Sequence, residues 1–179
     1  GSGIVVDGNV LYGHDGMAGE LGHTIVFPNG RKCSCGRKGC LEEYASARGI
    51  RQTCLELIQK HDLESSLYQL PIENLGCKVI GDAADNGDPL ALEVLRYTGY
   101  VLGLALSNAV AFSSPQAIFL MGGPTKSGDL ISPLKKYFEE NLLSSYRGKI
   151  DILLSALNEN DAAILGAAAL AVVEKNKTK

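Results

Sequence analysis

Three cysteines and a histidine lie close together in this sequence. Cys33, Cys35 and Cys40 fall within eight residues, and His23 stands ten residues before the first of them. Three thiolates and one imidazole form the four-coordinate set that zinc prefers in structural sites. A disulfide or three free thiols are the alternatives, although the close spacing of Cys33 and Cys35 does not suit the dihedral angle of an unstrained bridge. The spacing therefore predicts a zinc site.

Such a zinc ion is expected to hold the loop rather than to perform chemistry. Catalytic zinc keeps one position open for water or substrate, whereas three cysteines and His23 fill all four. Glu20 and Glu42 flank these ligands, so a rigid loop would direct both carboxylates towards a polyhydroxylated or cationic ligand. The alternative is that each glutamate is a solvated surface residue. The second ring nitrogen of His23 would donate either to a protein oxygen or to a ligand hydroxyl.

The composition limits the function classes. The chain has 179 residues, of which 45% are hydrophobic and 21% charged, and its formal net charge is −3. Because a long basic run is absent from the sequence, we do not expect this chain to bind nucleic acid. The most apolar run, residues 100–112, is shorter than the ~20 residues that cross a bilayer, and no secretory leader stands in the sequence. We expect a reduced, cytoplasmic protein that is not membrane-bound.

The elements that must position these residues can be read along the chain. Asp7-Gly8 between two β-rich runs predicts a hairpin, and the run "TIVF" after His23 could return that residue to the cysteine loop. Residues 41–60 follow a helical pattern. Asp88-Pro89 predicts the start of a long helix that reaches Phe112. We further expect a helix over residues 78–86, a strand over 117–121, a helix over 130–143, a strand over 150–154 and a helix from Asn160 or Asp161 through Val173, with a frayed tail at 175–179.

Strands that alternate with helices after residue 110 indicate an α/β arrangement. Gly99 and Gly103, four residues apart in the long helix, would allow close helix packing within the chain or between subunits, and a core helix is the favoured interpretation. Cys54 and Cys77 resemble small apolar residues.

Several segments resemble the ROK family of bacterial sugar kinases and sugar-responsive repressors. "AGELGH" at 18–23 and "CSCGRKGCLEEYAS" at 33–46 are similar to its signature. The similarity continues at 87–123 and at 160–171, and is weakest at 55–80. The resemblance implies an α/β fold that is actin-like and hexokinase-like (ribonuclease H-like), with residues 1–179 forming the C-terminal lobe of an ATPase-type kinase around a zinc-stapled loop.

The resemblance also implies roles for residues of this chain. Glu20, His23 and Glu42 match the family residues that hold sugar hydroxyls, and His23 with the three cysteines matches the zinc ligands. Carboxylates suit this role because a sugar presents many O–H donors, and a charge-assisted hydrogen bond is about twice as strong as a neutral one.

The residues that we expect to contact a nucleotide are glycines. Gly122-Gly123 follows the strand at 117–121, where backbone N–H groups could approach a phosphate or ribose, and a plain turn is the alternative. Gly1 and Gly3 resemble the end of the phosphate-contacting segment of the family. ATP with Mg²⁺ is the co-substrate that the resemblance implies.

The part of the family that carries the phosphate loop and the general-base aspartate has no match in this sequence. Asp7, Asp15 and Asp129 are turn or cap residues by context. We therefore expect the catalytic base in an N-terminal lobe, and no turnover by this chain alone.

Three functions remain open on the sequence. The first is a lobe of an ATP-dependent hexose kinase, with glucose as the favoured sugar and a homodimer as the common family assembly. The second is the sugar-sensing domain of a ROK transcriptional repressor. The third is a zinc-stapled interaction domain without a small ligand, in which Glu20 and Glu42 could be replaced with no consequence beyond stability.

Overall fold

The computed structural model describes residues 1–60 and 62–177. The chain begins with the hairpin that the sequence predicts. Strands β1 (Val5–Val6) and β2 (Asn9–Val10) pair antiparallel. The connecting Asp7 and Gly8 both have positive φ, at 50° and 75°, which is the geometry of the two-residue turn that Asp-Gly favours.

The predicted helix at 41–60 is divided in two, which corrects that expectation. Helix α1 spans Glu42–Ala45 and α2 spans Ala47–Ile58. Ser46 between them is extended, and its side chain accepts a hydrogen bond from the backbone N–H of Gly49 at 3.1 Å. A serine hydroxyl that caps a helix in this way favours a new helix start. Gly49 is required there, because a Cβ atom would lie 2.7 Å from the backbone of Glu43.

The central helix of the molecule is α4, which spans Pro89–Ser113 and confirms the predicted start at Asp88-Pro89. It packs closely on α5 (Gly128–Asn141). A Cβ atom at Gly99 or Gly103 would lie 2.9 or 2.8 Å from backbone atoms of α5. The two glycines therefore permit close helix packing within the chain.

By length and composition α4 is also apolar enough to cross a membrane. However, 61% of its most apolar 18-residue window is buried inside the protein. This is the environment of a core helix, which is how the sequence pattern is interpreted.

The C-terminal part has the expected α/β order. Strands β3 (Ala117–Leu120) and β4 (Asp151–Leu154) pair in parallel, and α5 lies in the connection between them. The last helix, α6, spans Glu159–Lys177. It begins before the two residues proposed as its cap and continues four residues beyond Val173, and residues 178–179 of the expected frayed tail lie outside the described residues.

Helices α2, α3 (Cys77–Asp85) and α4 enclose the largest buried cluster. A smaller cluster of Leu41, Tyr44, Val101 and Ala105 lies between α1 and α4. This second cluster supports the segment that carries the cysteines, because Leu41 directly follows Cys40.

Candidate functional site

The run "TIVF" returns His23 to the cysteine loop, as the sequence predicts. Ile25 forms an antiparallel bridge with Cys40. The backbone N–H of Leu41 donates to the carbonyl of Thr24 at 2.9 Å, and that of Val26 donates to the carbonyl of Gly39 at 2.8 Å. These bonds fix the short 3₁₀ helix Leu21–His23 beside Cys40.

The loop itself is a tight turn between Lys32 and Lys38, which form a second bridge. Gly36 and Gly39 have φ of 87° and 77°, in the region that favours glycine. At Gly39 a Cβ atom would lie 1.7 Å from the carbonyl oxygen of Phe27. No larger residue fits this position without moving the backbone.

The four expected metal ligands come together. One ligand atom from each of His23, Cys33, Cys35 and Cys40 lies within 4.8 Å of all the others. His23 Nδ1 is 3.6 Å from Cys33 Sγ, and Cys35 Sγ is 3.6 Å from Cys40 Sγ. Tetrahedral zinc with Zn–S of about 2.3 Å and Zn–N of about 2.0 Å separates its ligands by roughly 3.5–3.8 Å. The donor set and these spacings fit zinc, and the identity of the metal stays a prediction.

The pKa values of the three cysteine thiols are shifted in different directions. A hydrogen bond from Cys33 Sγ to Glu42 Oε1, 2.9 Å long, raises the pKa of Cys33 to about 12. A hydrogen bond from Arg37 lowers the pKa of Cys35 to about 6, whereas burial raises the pKa of Cys40. Because metal binding requires thiolates, it must release the proton that Cys33 shares with Glu42.

His23 faces two ways, and this brings the expected sugar-binding residues together. Its Nδ1 atom faces the cysteines and lies 3.7 Å from Glu42 Oε1. Its Nε2 atom points the other way, 3.9 Å from Glu20 Oε2. The three side chains are 28%, 31% and 56% exposed for His23, Glu42 and Glu20. The result is an imidazole between two carboxylates, open to solvent.

The N-terminal residues lie beside this cluster. Ser2 Oγ donates to the carbonyl of Gly19 and accepts from the backbone N–H of Leu21, the latter at 3.2 Å. At Gly19 a Cβ atom would lie 3.1 Å from the Cα atom of Gly3. That Gly1 and Gly3 contact nucleotide phosphate stays a prediction.

Gly122 lines a separate cavity of about 360 Å³ at the carboxyl ends of β3 and β4. It has φ of 130°, and Gly123 begins the 3₁₀ helix Gly123–Lys126. Open α/β sheets bind ligands at this edge. The polar residues that line the cavity are Thr125, Lys126, Ser155 and Asn158. That Gly122 and Gly123 contact a nucleotide stays a prediction.

Arg31 is a residue that the sequence pattern does not reveal. Its side chain is 12% exposed and reaches from the cysteine loop to α1 and α2, where it pairs with Glu56. In the sequence it reads as one of several basic residues around the cysteines. What sets Arg31 apart is its pairing with Glu56, 25 residues further along the chain. No local sequence motif predicts such a pairing.

The parallel strand unit and the helices around it make this part of the chain an α/β lobe, and the family match and the similar solved structures assign that lobe to the actin-like, hexokinase-like class. The chain belongs to the ROK family, whose family model matches residues 1–174.

Relatives of two kinds are similar to it. A glucokinase of Halalkalibacterium halodurans is 38% identical over 98% of this chain and 54% of its own length. The DNA-binding transcriptional dual regulator NagC of Escherichia coli is 34% identical over 95% of this chain and 41% of its own length. The chain thus spans about half the length of the curated relatives it matches.

A solved structure has the same fold. A ROK family glucokinase from Streptomyces griseus, in complex with glucose and AMPPNP, superposes with a TM-score of 0.83 at 29% identity. The match covers 94% of this chain and 55% of that one.

Proposed function

We propose that this chain is the sugar-binding lobe of an ATP-dependent hexose kinase whose substrate is glucose. The proposal rests on one observation: the carboxylates of Glu20 and Glu42 lie on either side of the His23 imidazole. Two carboxylates and an N–H donor match the donors and acceptors of a sugar ring. The similarity to glucokinases, one of them in complex with glucose and AMPPNP, supports the choice of sugar and nucleotide.

In this proposal zinc is a structural ion held by His23, Cys33, Cys35 and Cys40. When bound, it would fix the loop that carries Glu42 and keep His23 Nδ1 engaged. The Nε2 atom of His23 would then carry the proton and donate it in a hydrogen bond to a sugar hydroxyl. Glu20 and Glu42 would accept hydrogen bonds from neighbouring hydroxyls and so orient the ring.

The proton from the attacking hydroxyl would be taken up outside this chain, by an aspartate in an N-terminal lobe. ATP with Mg²⁺ would bind at the cavity that Gly122 lines, next to Gly123, with Gly1 and Gly3 near its phosphates. On this proposal the isolated chain binds sugar but does not turn it over. The complete protein would be a cytoplasmic homodimer.

The surface supports the proposal of a further lobe. The chain exposes 11108 Å², about 2,700 Å² more than the ~8,400 Å² expected for a compact monomer of its mass. Apolar side chains on α6 are part of this exposed surface, among them Ile164, which is 70% exposed, and Val172, which is 60% exposed. The outer face of β3 adds Phe119, which is 70% exposed. A second lobe packed on α6 and this sheet would bury them.

The second candidate function is the sugar-sensing domain of a transcriptional repressor. The identity of 34% to NagC over nearly the whole chain favours it. The same three side chains would then bind the sugar without catalysis, and a DNA-binding domain would take the place of the phosphate loop.

The test is ATP-dependent phosphorylation of a panel of hexoses by the full-length protein, combined with calorimetric titration of each sugar. Turnover of glucose is the expected result. Tight sugar binding without turnover of any hexose would favour the sensor. The absence of both binding and turnover would overturn the sugar site itself.

A further inference from the structure

We propose that Arg31 is a positioning residue that, together with the metal loop, fixes the carboxylate of Glu42. The inference rests on the proposed sugar site. It concerns the second anchor of the short helix α1, whose first residue is Glu42.

The guanidinium of Arg31 uses all five of its N–H donors. The Nε atom and one Nη2 hydrogen bind both carboxylate oxygens of Glu56, at 3.0 and 2.6 Å. The other Nη2 hydrogen binds Thr53 Oγ1 at 2.8 Å. The Nη1 atom donates to the carbonyls of Glu43 and Gly49, at 2.5 and 3.1 Å. With every donor satisfied and only 12% of the side chain exposed, the guanidinium is strongly restrained in this position.

These bonds hold the junction between α1 and α2. The carbonyls of Glu43 and Gly49 lie on the two sides of the break at Ser46, and one Nη1 atom joins them. Helix α1 has four residues and no side-chain cap at its start, so its own hydrogen bonds are too few to fix its direction. The bond to Glu43 therefore restrains the residue next to Glu42.

The backbone of Arg31 links the same junction to the cysteine loop. Its N–H donates to Tyr44 Oη at 2.9 Å, and its carbonyl accepts from the N–H of Gly39 at 2.8 Å. The guanidinium carbon also lies 4.4 Å from the centre of the Tyr44 ring. Glu42 is thus held from two sides, by the cysteine ligands before it and by Arg31 behind it.

Arg31→Lys in the full-length protein tests the inference. Lysine keeps the charge but cannot reproduce the planar fork that binds two oxygens of Glu56 and two carbonyls. We expect glucose affinity, measured by calorimetry, to fall roughly tenfold or more, while elemental analysis still finds the wild-type zinc content. The matched control is Asp88→Asn, which removes charge from a buried cap in α4 and should lower the melting temperature without changing glucose affinity.

The outcomes of these measurements support or overturn the role of Arg31. Unchanged glucose affinity in Arg31→Lys overturns the inference, and so does loss of zinc, which would make Arg31 a support of the metal loop. If that variant does not fold, Glu56→Gln, which weakens the fork but keeps the carbonyl bonds, must reduce glucose affinity severalfold with zinc retained, and an unchanged affinity there overturns it equally. Failure of the wild-type protein to bind any sugar would instead refute the proposed function.

Discussion

The cysteine loop and the C-terminal α/β unit achieve their structures by opposite means. Residues 20–46 contain little regular structure, and specific contacts hold them, among them the bonds around Gly39 and the fork of Arg31. Residues 117–177 consist mostly of regular helices and strands, yet α6 exposes apolar side chains along its length. Internal contacts hold the first region in place, whereas the second leaves apolar side chains of α6 exposed. This difference separates the effects that mutations should have.

The largest expected effect is that of Cys35→Ser. Loss of one of four ligands should release the metal, and since the loop then loses its fixed shape, glucose affinity should fall by a factor of ~100 or more. Elemental analysis and calorimetry of the full-length protein measure the two effects. Cys77→Ser, which changes a cysteine outside the cluster, is the control and should retain both zinc and sugar. Glucose affinity that survives the loss of metal would show that the loop does not need its ion.

The C-terminal unit is tested by Ile164→Glu on α6. If a further lobe covers this 70%-exposed side chain, the full-length protein should lose about 2–3 kcal/mol of unfolding free energy, because a charge is then buried. Urea denaturation measures the loss. Lys135→Glu, at an exposed position of α5, should stay within about 0.5 kcal/mol. Equal stability of both variants would mean that nothing packs on α6, and zinc content should be unchanged in either case.

Glu42→Gln separates sugar binding from metal binding within the loop. The amide keeps the shape of the side chain but not its charge, so a hydroxyl donor to this position would lose a charge-assisted bond. We expect glucose affinity to fall about tenfold with zinc fully retained, as measured by the same titration and elemental analysis. Loss of zinc would place Glu42 among the groups that hold the metal.

The sequence predicts much of the site because its key residues are local. The four metal ligands lie within 18 residues, and the pairing of Ile25 with Cys40 follows from a recognisable β-rich run. The sequence does not reveal the break at Ser46 because the helical pattern continues through it, although the hydroxyl of this serine caps the N–H of Gly49, three residues later. Arg31 could not be predicted, because its partner Glu56 lies on another element and the pair has no local spacing.

The start of α4 belongs to neither region, and a mutation there should have the smallest effect on the sugar site. Asp88 is 8% exposed and accepts hydrogen bonds from the backbone N–H groups of Leu90, Ala91 and Ser66 at 3.1, 3.0 and 2.7 Å. The hydroxyl of Ser65 adds another, at 2.8 Å. Asparagine has a single acceptor oxygen, and its NH2 group would face N–H and O–H donors that the second carboxylate oxygen now satisfies. Asp88→Asn should therefore cost about 1–2 kcal/mol of unfolding free energy near neutral pH.

This cost should depend on pH. Burial raises the pKa of Asp88, but hydrogen bonds from Ala91, Ser66 and Ser65 lower it further, so the pKa lies below the usual 3.8. A carboxyl group whose pKa is depressed by folding adds stability that is complete above 3.8 and is lost as the pH falls through the folded value. Urea denaturation of both proteins should thus show a stability difference that shrinks from about pH 6 to about pH 3. Because both proteins carry the same metal site, its own titration cancels in the difference, and a constant difference would mean that the Asp88 cap is not ionised.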